Sequence, residues 1–391
     1  MSQIEQENDK SAFSEQEKRA YTEREHDQRN SIADETYIEG EKDQEERRDD
    51  KTIEHEMLSV VEAFFPEGDW RELHLRGSGV NNTTRFIERA GRRYVLRIYE
   101  THREISKVTY EHQVLLALAK QDLSFRVPLP LTAANGETVV RTSEGKLAAM
   151  FHYMEGRPPQ LQDAAQITQF GETTALLSQA LSKVNPDQPP VYPPYYEIEQ
   201  AHPKCDLQTF IKFCHQPSES FAAPDLRQAL ASIVKVVEPL QRRLELMKQL
   251  PHQLIHGDLN ASNALADDTG SITAVLDFEF VTVDLRVMEP AVFISDLIRR
   301  GQDVSREGRS LQQIEAYLAG YRRYIELTPE EIACIPDLLL LRRLDVVMHF
   351  LGRYWEGIDD EQIVIDQIHY LYAMTMWLDL YADRLVRLLR G

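Results

Sequence analysis

Cysteine is scarce: three residues in 391, Cys205, Cys214 and Cys334, too few and too scattered for a disulfide framework. No apolar run reaches the length needed to cross a bilayer, and the start of the chain carries no secretory pattern. The expectation is a reduced, cytoplasmic protein with no membrane partner. Positive charge is also short. Lys and Arg total 44 against 64 Asp and Glu, a formal net charge of −20. That balance argues against a nucleic-acid backbone as partner and is compatible with an amine-bearing ligand.

Apolar periodicity is missing from residues 1–52, where acids outnumber bases by about two to one. Such a stretch cannot bury enough surface to offset the entropy of ordering, and it is expected to be a disordered or solvated tail. Order is expected from Ile53. Met57, Val60, Val61, Phe64 and Phe65 fall at helical spacing before Pro66. A strand–loop–strand–turn–strand pattern follows: Leu73–Arg76, the segment Gly77-Ser78-Gly79-Val80-Asn81-Asn82, Thr83–Glu88, a turn at Ala90-Gly91-Arg92, then Tyr94–Tyr99. Glycines between strands allow backbone N–H groups to approach phosphates closely. The next helix, Ser106 to about Lys120, has Glu111 beside its apolar face.

The chemistry concentrates in Leu254–Phe280. His256-Gly257-Asp258-Leu259 is followed by Asn263, five residues after the aspartate, and an apolar run from Ile272 to Leu276 delivers Asp277-Phe278-Glu279. Asp258, Asn263 and Asp277 provide one acceptor for a hydroxyl proton and two oxygen ligands for a hard cation. Phosphoryl transfer from ATP requires these groups. The spacing agrees with the kinase loop H-R-D-L-x-x-x-N, with Gly257 in place of Arg. What a protein kinase has next is absent. Only about ten residues separate Asp277 from a helix beginning near Met288, leaving no activation segment on which a peptide docks, and Glu279 stands where D-F-G has its Gly.

On these motifs the chain resembles the aminoglycoside phosphotransferase / choline kinase-like family of small-molecule kinases, slightly more its homoserine kinase-like and choline kinase-like branches. The resemblance covers roughly residues 57–390. It implies an α+β, bilobal protein-kinase-like fold, with a small antiparallel-sheet N-lobe (53–156) and a larger, mostly helical C-lobe (157–391), Gly156 marking the hinge. It implies Asp258 as catalytic base, Asn263 and Asp277 as Mg²⁺ ligands, and ATP held by Gly77, Ser78, Gly79, Asn81 and Asn82. Arg97 stands at the third-strand Lys position of protein kinases, paired with Glu111, or less favourably with Glu104. Adenine is expected at the backbone of His152, Tyr153 and Met154, with Met150 and Met154 as apolar walls. His256 is expected to fix the loop by hydrogen bonds. Glu279 could assist the metal or face the acceptor, and Glu289 falls where the family has a loop-bracing Asp. The Pro-rich stretch Pro189–Tyr196 and the group His349, Arg353, Tyr354, Trp355 and Asp359 are candidate acceptor walls. The implied activity is transfer of the γ-phosphoryl group of ATP to a hydroxyl of a small molecule: an amino alcohol, sugar or aminoglycoside-like compound. A protein Ser/Thr kinase of the same fold and a non-catalytic nucleotide-binding regulator are the alternatives.

Overall fold

The computed structural model describes residues 56–73, 82–100, 104–300 and 309–391. The tail 1–52 and the nucleotide-loop residues Gly77, Ser78, Gly79 and Asn81 lie outside them. The described chain forms two compact units, one from 56–192 with 254–282 and one from 193–253 with 283–391.

The first unit is built on a five-stranded antiparallel sheet of order β1-β2-β3-β5-β4, made from Trp70–Leu73 (β1), Asn82–Arg89 (β2), Arg92–Tyr99 (β3), Val140–Arg141 (β4) and Leu147–His152 (β5). Ala90 and Gly91, at φ of 51° and 74°, join β2 to β3; two consecutive positive φ values match the twist of a tight hairpin. Side chains alternate across the sheet. Ile87, Tyr94, Leu96, Ile98, Ala148 and Met150 face helix α1 (56–64), packing on Met57, Val60, Val61, Phe64 and Phe65. Thr84, Arg97 and Ala149 are in register on the opposite face. Met150 is thus a core residue on the far side of the sheet from Arg97 and is no wall of a nucleotide pocket. Alternation sends it there, since it stands opposite Leu96 on β3.

Helix α2 (Ile105–Leu118) buries Val108, Glu111, Leu115 and Leu118 along one face. Helix α3 (Ala164–Leu181) is capped by Asp163, which accepts from the Gln166 N–H at 2.8 Å. The short strands Ala264–Ala266 (β7) and Ile272–Val275 (β8) form a ladder carrying the catalytic stretch, and β6 (His252–Ile255) leads into it. Arg157 exchanges two backbone hydrogen bonds with Ala266, at 2.9 and 2.8 Å. Gly156, at φ 142°, lies so close that a Cβ there would stand 2.8 Å from Leu265 Cβ and 2.9 Å from the Ala266 carbonyl oxygen.

The second unit contains α4 (Leu207–His215), α5 (Pro224–Met247), α6 (Met288–Arg300), α7 (Arg309–Tyr321), α8 (Pro329–Trp355) and α9 (Glu361–Arg390), with β9 (Thr282–Leu285) at its border. Thr328 and Glu331 form a capping box at the start of α8, which continues through Pro336. Glu331 is fully buried and takes both nitrogens of a fork from Arg286 at 2.7 Å each. Among the described residues no helix is long and apolar enough to cross a membrane.

Gly156→Ala adds a methyl where backbone already stands and forces an unfavourable φ. It is expected to destabilise the protein by about 1–3 kcal/mol, read as a lower denaturation midpoint. An unchanged midpoint would mean that Gly156 is not a contact the unit depends on.

Candidate active site

Every described residue expected to act in catalysis or to hold nucleotide or metal falls in the first unit. His256 is fully buried and makes two contacts that join the loop to the strand end. The Asp258 N–H donates to its Nδ1 at 3.2 Å, and its Nε2 donates to the Leu276 carbonyl at 2.8 Å. Those two bonds fix the tautomer and tie Asp258 to the residue preceding Asp277. The ring also packs on Phe278, with centroids 4.6 Å apart. Gly257 adopts φ +79°, and a Cβ there would lie 3.1 Å from the Phe280 carbonyl oxygen. A glycine rather than the Arg of protein kinases suits both constraints.

Asn263 folds back on the same aspartate. Its Nδ2 donates to the Asp258 carbonyl at 2.9 Å and to Asp258 Oδ2 at 3.1 Å. This orients one carboxylate oxygen and leaves the Asn263 amide oxygen as the atom to offer a cation. Asn260, which sequence reasoning passed over, also donates to the Asp258 carbonyl, at 3.0 Å, while its Oδ1 accepts from the Ser262 N–H at 2.9 Å. Its signal was available: an Asn two residues past the acid favours this local turn.

Asp277 ends the β8 run at φ +62°, a left-handed conformation that Asp tolerates better than most residues. Its Oδ1 lies 3.5 Å from Arg97 Nη1, which is also 3.4 Å from Glu111 Oε1. The expected pairing of Arg97 with Glu111 is therefore present, whereas Glu104 is exposed at the start of α2. The Tyr99 hydroxyl donates to Glu111 Oε2 at 3.4 Å. Period-two spacing from Arg97 could have flagged it. Phe151 lies against the guanidinium, 5.5 Å from ring centre to Cζ, and packs edge-on to His112. Glu279 is buried and accepts from Asn82 Nδ2 at 2.9 Å.

One cation thus serves three carboxylates. Burial alone would lower the Arg97 pKa, but Asp277, then Glu111, Tyr99 and Glu279, hold it above the ordinary arginine value. Burial pushes Asp277 up, with Arg97 opposing and Glu279 and Asp258 adding to the rise. Glu111 is raised by burial to about 7, against Arg97 and with Asp277 and Glu279 reinforcing. Among the described residues no three His, Cys, Asp or Glu side chains form a ready-made metal cluster.

Tyr192 is the Pro-rich loop residue that reaches this unit's chemistry. Its ring packs on Phe280 at 5.4 Å, and its carbonyl accepts from Thr282 Oγ1 at 2.6 Å. Tyr195 and Tyr196 belong to the other unit, where the Tyr195 hydroxyl accepts from Arg342 Nη1 at 2.7 Å. Glu289 is fully buried at the start of α6, in the neighbourhood of Asp284 and Tyr321. His349 and Arg353 also lie in the second unit, Arg353 being paired with Asp359 at 2.5 Å. At His152 and Tyr153 the backbone N–H groups donate to the carbonyls of Leu129 and Arg93, at 3.2 and 3.1 Å.

The raised Glu111 pKa has two consequences of opposite sign. Between the ordinary carboxylate range and about 7, the folded protein keeps a proton that the unfolded chain has released, so this group's contribution to stability falls as pH rises. The ion pair with Arg97 instead gains over the same window. Hence kcat/KM for ATP is expected to rise with pH through a midpoint near 7, among the facing groups Arg97, Tyr99, Asp277 and Glu279. Glu111→Gln should lower kcat/KM and flatten that limb. A limb unchanged in the variant would assign it to another group.

A model of the phosphotransferase enzyme family matches residues 72–328. Among curated relatives, the homoserine kinase of Chelativorans sp. (strain BNC1) is 25% identical over 328 residues, covering 82% of this chain and 92% of its own length. The homoserine kinase of Caulobacter sp. (strain K31) is 26% identical over 275 residues, covering 70% and 78%. Among solved structures, a microcompartment-associated aminopropanol kinase superposes with a TM-score of 0.62 at 21% identity, over 86% of this chain and 98% of its own. The amicoumacin kinase hAmiN in complex with AMP-PNP, Ca²⁺ and Ami gives 0.60 at 18% identity, over 86% and 96%. The fold is the protein-kinase-like α+β fold that the motifs implied. A family match spanning most of the chain, joined to a loop that holds Asp258 beside Asn263 and Asp277 beside Arg97, makes this chain a member of the phosphotransferase enzyme family and an ATP-dependent kinase of small-molecule hydroxyls.

Proposed function

We propose that the chain phosphorylates the hydroxyl of a small amine-bearing acceptor, an amino alcohol or hydroxylated amino acid of the homoserine type, using Mg-ATP. The observation that supports this reading best is the junction at His256, which ties the Asp258 loop to the strand end carrying Asp277. The acceptor class draws on the curated relatives, which are homoserine kinases, and agrees with the net charge of −20. The link of about ten residues between Asp277 and α6 favours a small acceptor over a protein side chain.

In this reading Asp258 accepts the proton of the attacking hydroxyl, its Oδ2 oriented by the Asn263 amide. Arg97, positioned by Glu111 and Phe151, binds the phosphates. The segment containing Gly77, Ser78, Gly79 and Asn81 covers them. Since the N–H groups of His152 and Tyr153 are committed to protein carbonyls, the donor to the nucleotide base falls to Met154. Asn263 Oδ1 and the Asp277 carboxylate would hold the magnesium ion, whose chemistry is to neutralise charge on the phosphoryl oxygens. Little covalent chemistry falls to the protein; rate comes from positioning and charge stabilisation. The division at residue 156 into a nucleotide-covering lobe and a catalytic lobe is part of this proposal.

Asp258→Ala is expected to lower kcat by about 10²–10⁴-fold while ATP affinity changes little. ATP consumption over a panel of homoserine, 1-amino-2-propanol, sugars and aminoglycosides should be fastest with the amine-bearing small acceptors. Full turnover in the variant would remove Asp258 from its role. A preference for bulky aminoglycosides would overturn the acceptor class.

A further inference from the structure

Asn82 directly follows the glycine segment, where a phosphate contact was expected from the sequence. The geometry gives its side chain a different task. Asn82 opens β2 opposite Tyr99, and Thr84 stands opposite Arg97, so all four residues share one face of the sheet. Across 197 residues of sequence, the Asn82 Nδ2 donates to Glu279 Oε2 at 2.9 Å. Glu279 is only 6% exposed and lies in the same electrostatic field as Arg97, Glu111 and Asp277. A buried carboxylate oxygen needs a donor, and the Asn82 amide supplies one. The other half of the Asn82 amide is not satisfied: among the described residues its Oδ1 is buried without a hydrogen-bond partner.

We propose that Asn82 is a positioning residue rather than a phosphate ligand. Its amide nitrogen holds the Glu279 carboxylate, and this fastens the Asp277-Phe278-Glu279 turn to the first residue of the strand leaving the nucleotide-covering segment. The placement of Asp277 thereby depends on a side chain of β2 that does not itself bind phosphate. This inference rests on the assignment of the nucleotide site around Arg97 and Asp277.

The test is a polarity swap. Asn82→Asp places a carboxylate against Glu279. Adding Glu279→Gln supplies an amide donor from the other side and remakes the bond in reverse. Two readouts are used: the denaturation midpoint of the ligand-free chain, and affinity for a fluorescent ATP analogue with MgCl₂. Asn82→Asp alone should lower the midpoint and weaken binding by about tenfold. The double variant should recover most of both losses. If Asn82 instead contacted phosphate, the new negative charge would weaken binding as much in the double variant as in the single one, and the midpoint losses would add; either result overturns the proposal. Should Asn82→Asp fail to fold, Asn82→Ala combined with Glu279→Gln serves. Its losses should be less than additive, and strict additivity counts against the proposal. Absence of ATP-analogue binding by the unaltered chain would overturn the nucleotide-site assignment itself, an outcome separable from additivity among the variants.

Discussion

A single guanidinium shared among three buried or half-buried carboxylates is the constraint on which the rest of the first unit depends. Arg97 sits within 3.5 Å of both Glu111 and Asp277, with Glu279 contributing to the same field. Partners must be delivered from three separate elements. The sheet provides Arg97 on β3, α2 turns Glu111 inward on its apolar face, and the end of β8 aims Asp277. Burial raises the pKa of Glu111 and Asp277, the neighbouring carboxylates add to the rise, and Arg97 opposes it.

Holding those groups in place uses backbone conformations that most residues avoid. Positive φ occurs at Gly156, Gly257 and Asp277. Gly156 and Gly257 also lie where a Cβ would meet backbone oxygen, at 2.9 and 3.1 Å. The unfavourable conformation at Asp277 is local and small, of order 1–3 kcal/mol. It is overcome by the hydrogen bonds from His256 and Asn263 that fix the neighbouring loop. Precision at the reacting groups is thereby obtained from ordinary amide and imidazole contacts, with no disulfide required; the described cysteines are free.

Much of this was legible in the sequence, for identifiable reasons. The Asp258–Asn263 offset and the apolar run before Asp277 are short-range features whose geometry follows from a turn and a strand end. Arg97 with Glu111 was legible because the strand period and the helix period each place one charge beside an apolar face. Helix α6 begins at Met288, where the spacing put it. Other features depended on tertiary context. Met150 looked like a pocket wall because proximity to Met154 in sequence hides the side-to-side alternation of β5, which sends it into the α1 core. The partnership of Asn82 with Glu279 joins positions 197 residues apart, and no local pattern encodes it.

The distribution of these groups along the chain bears on how the family varies. Asp258, Asn263, Asp277, Arg97 and Glu111 all belong to the unit formed by 56–192 and 254–282. The helices of 193–253 and 283–391 hold none of them; their polar pairs, Arg286 with the buried Glu331 and the partly exposed Arg243 with Asp337, join helices and loops to one another. The fold itself is shared with solved structures at identities near 20%. Acceptor choice is a property of residues that the catalytic motifs do not specify, which is why the motifs identify the reaction more sharply than the molecule that receives the phosphate.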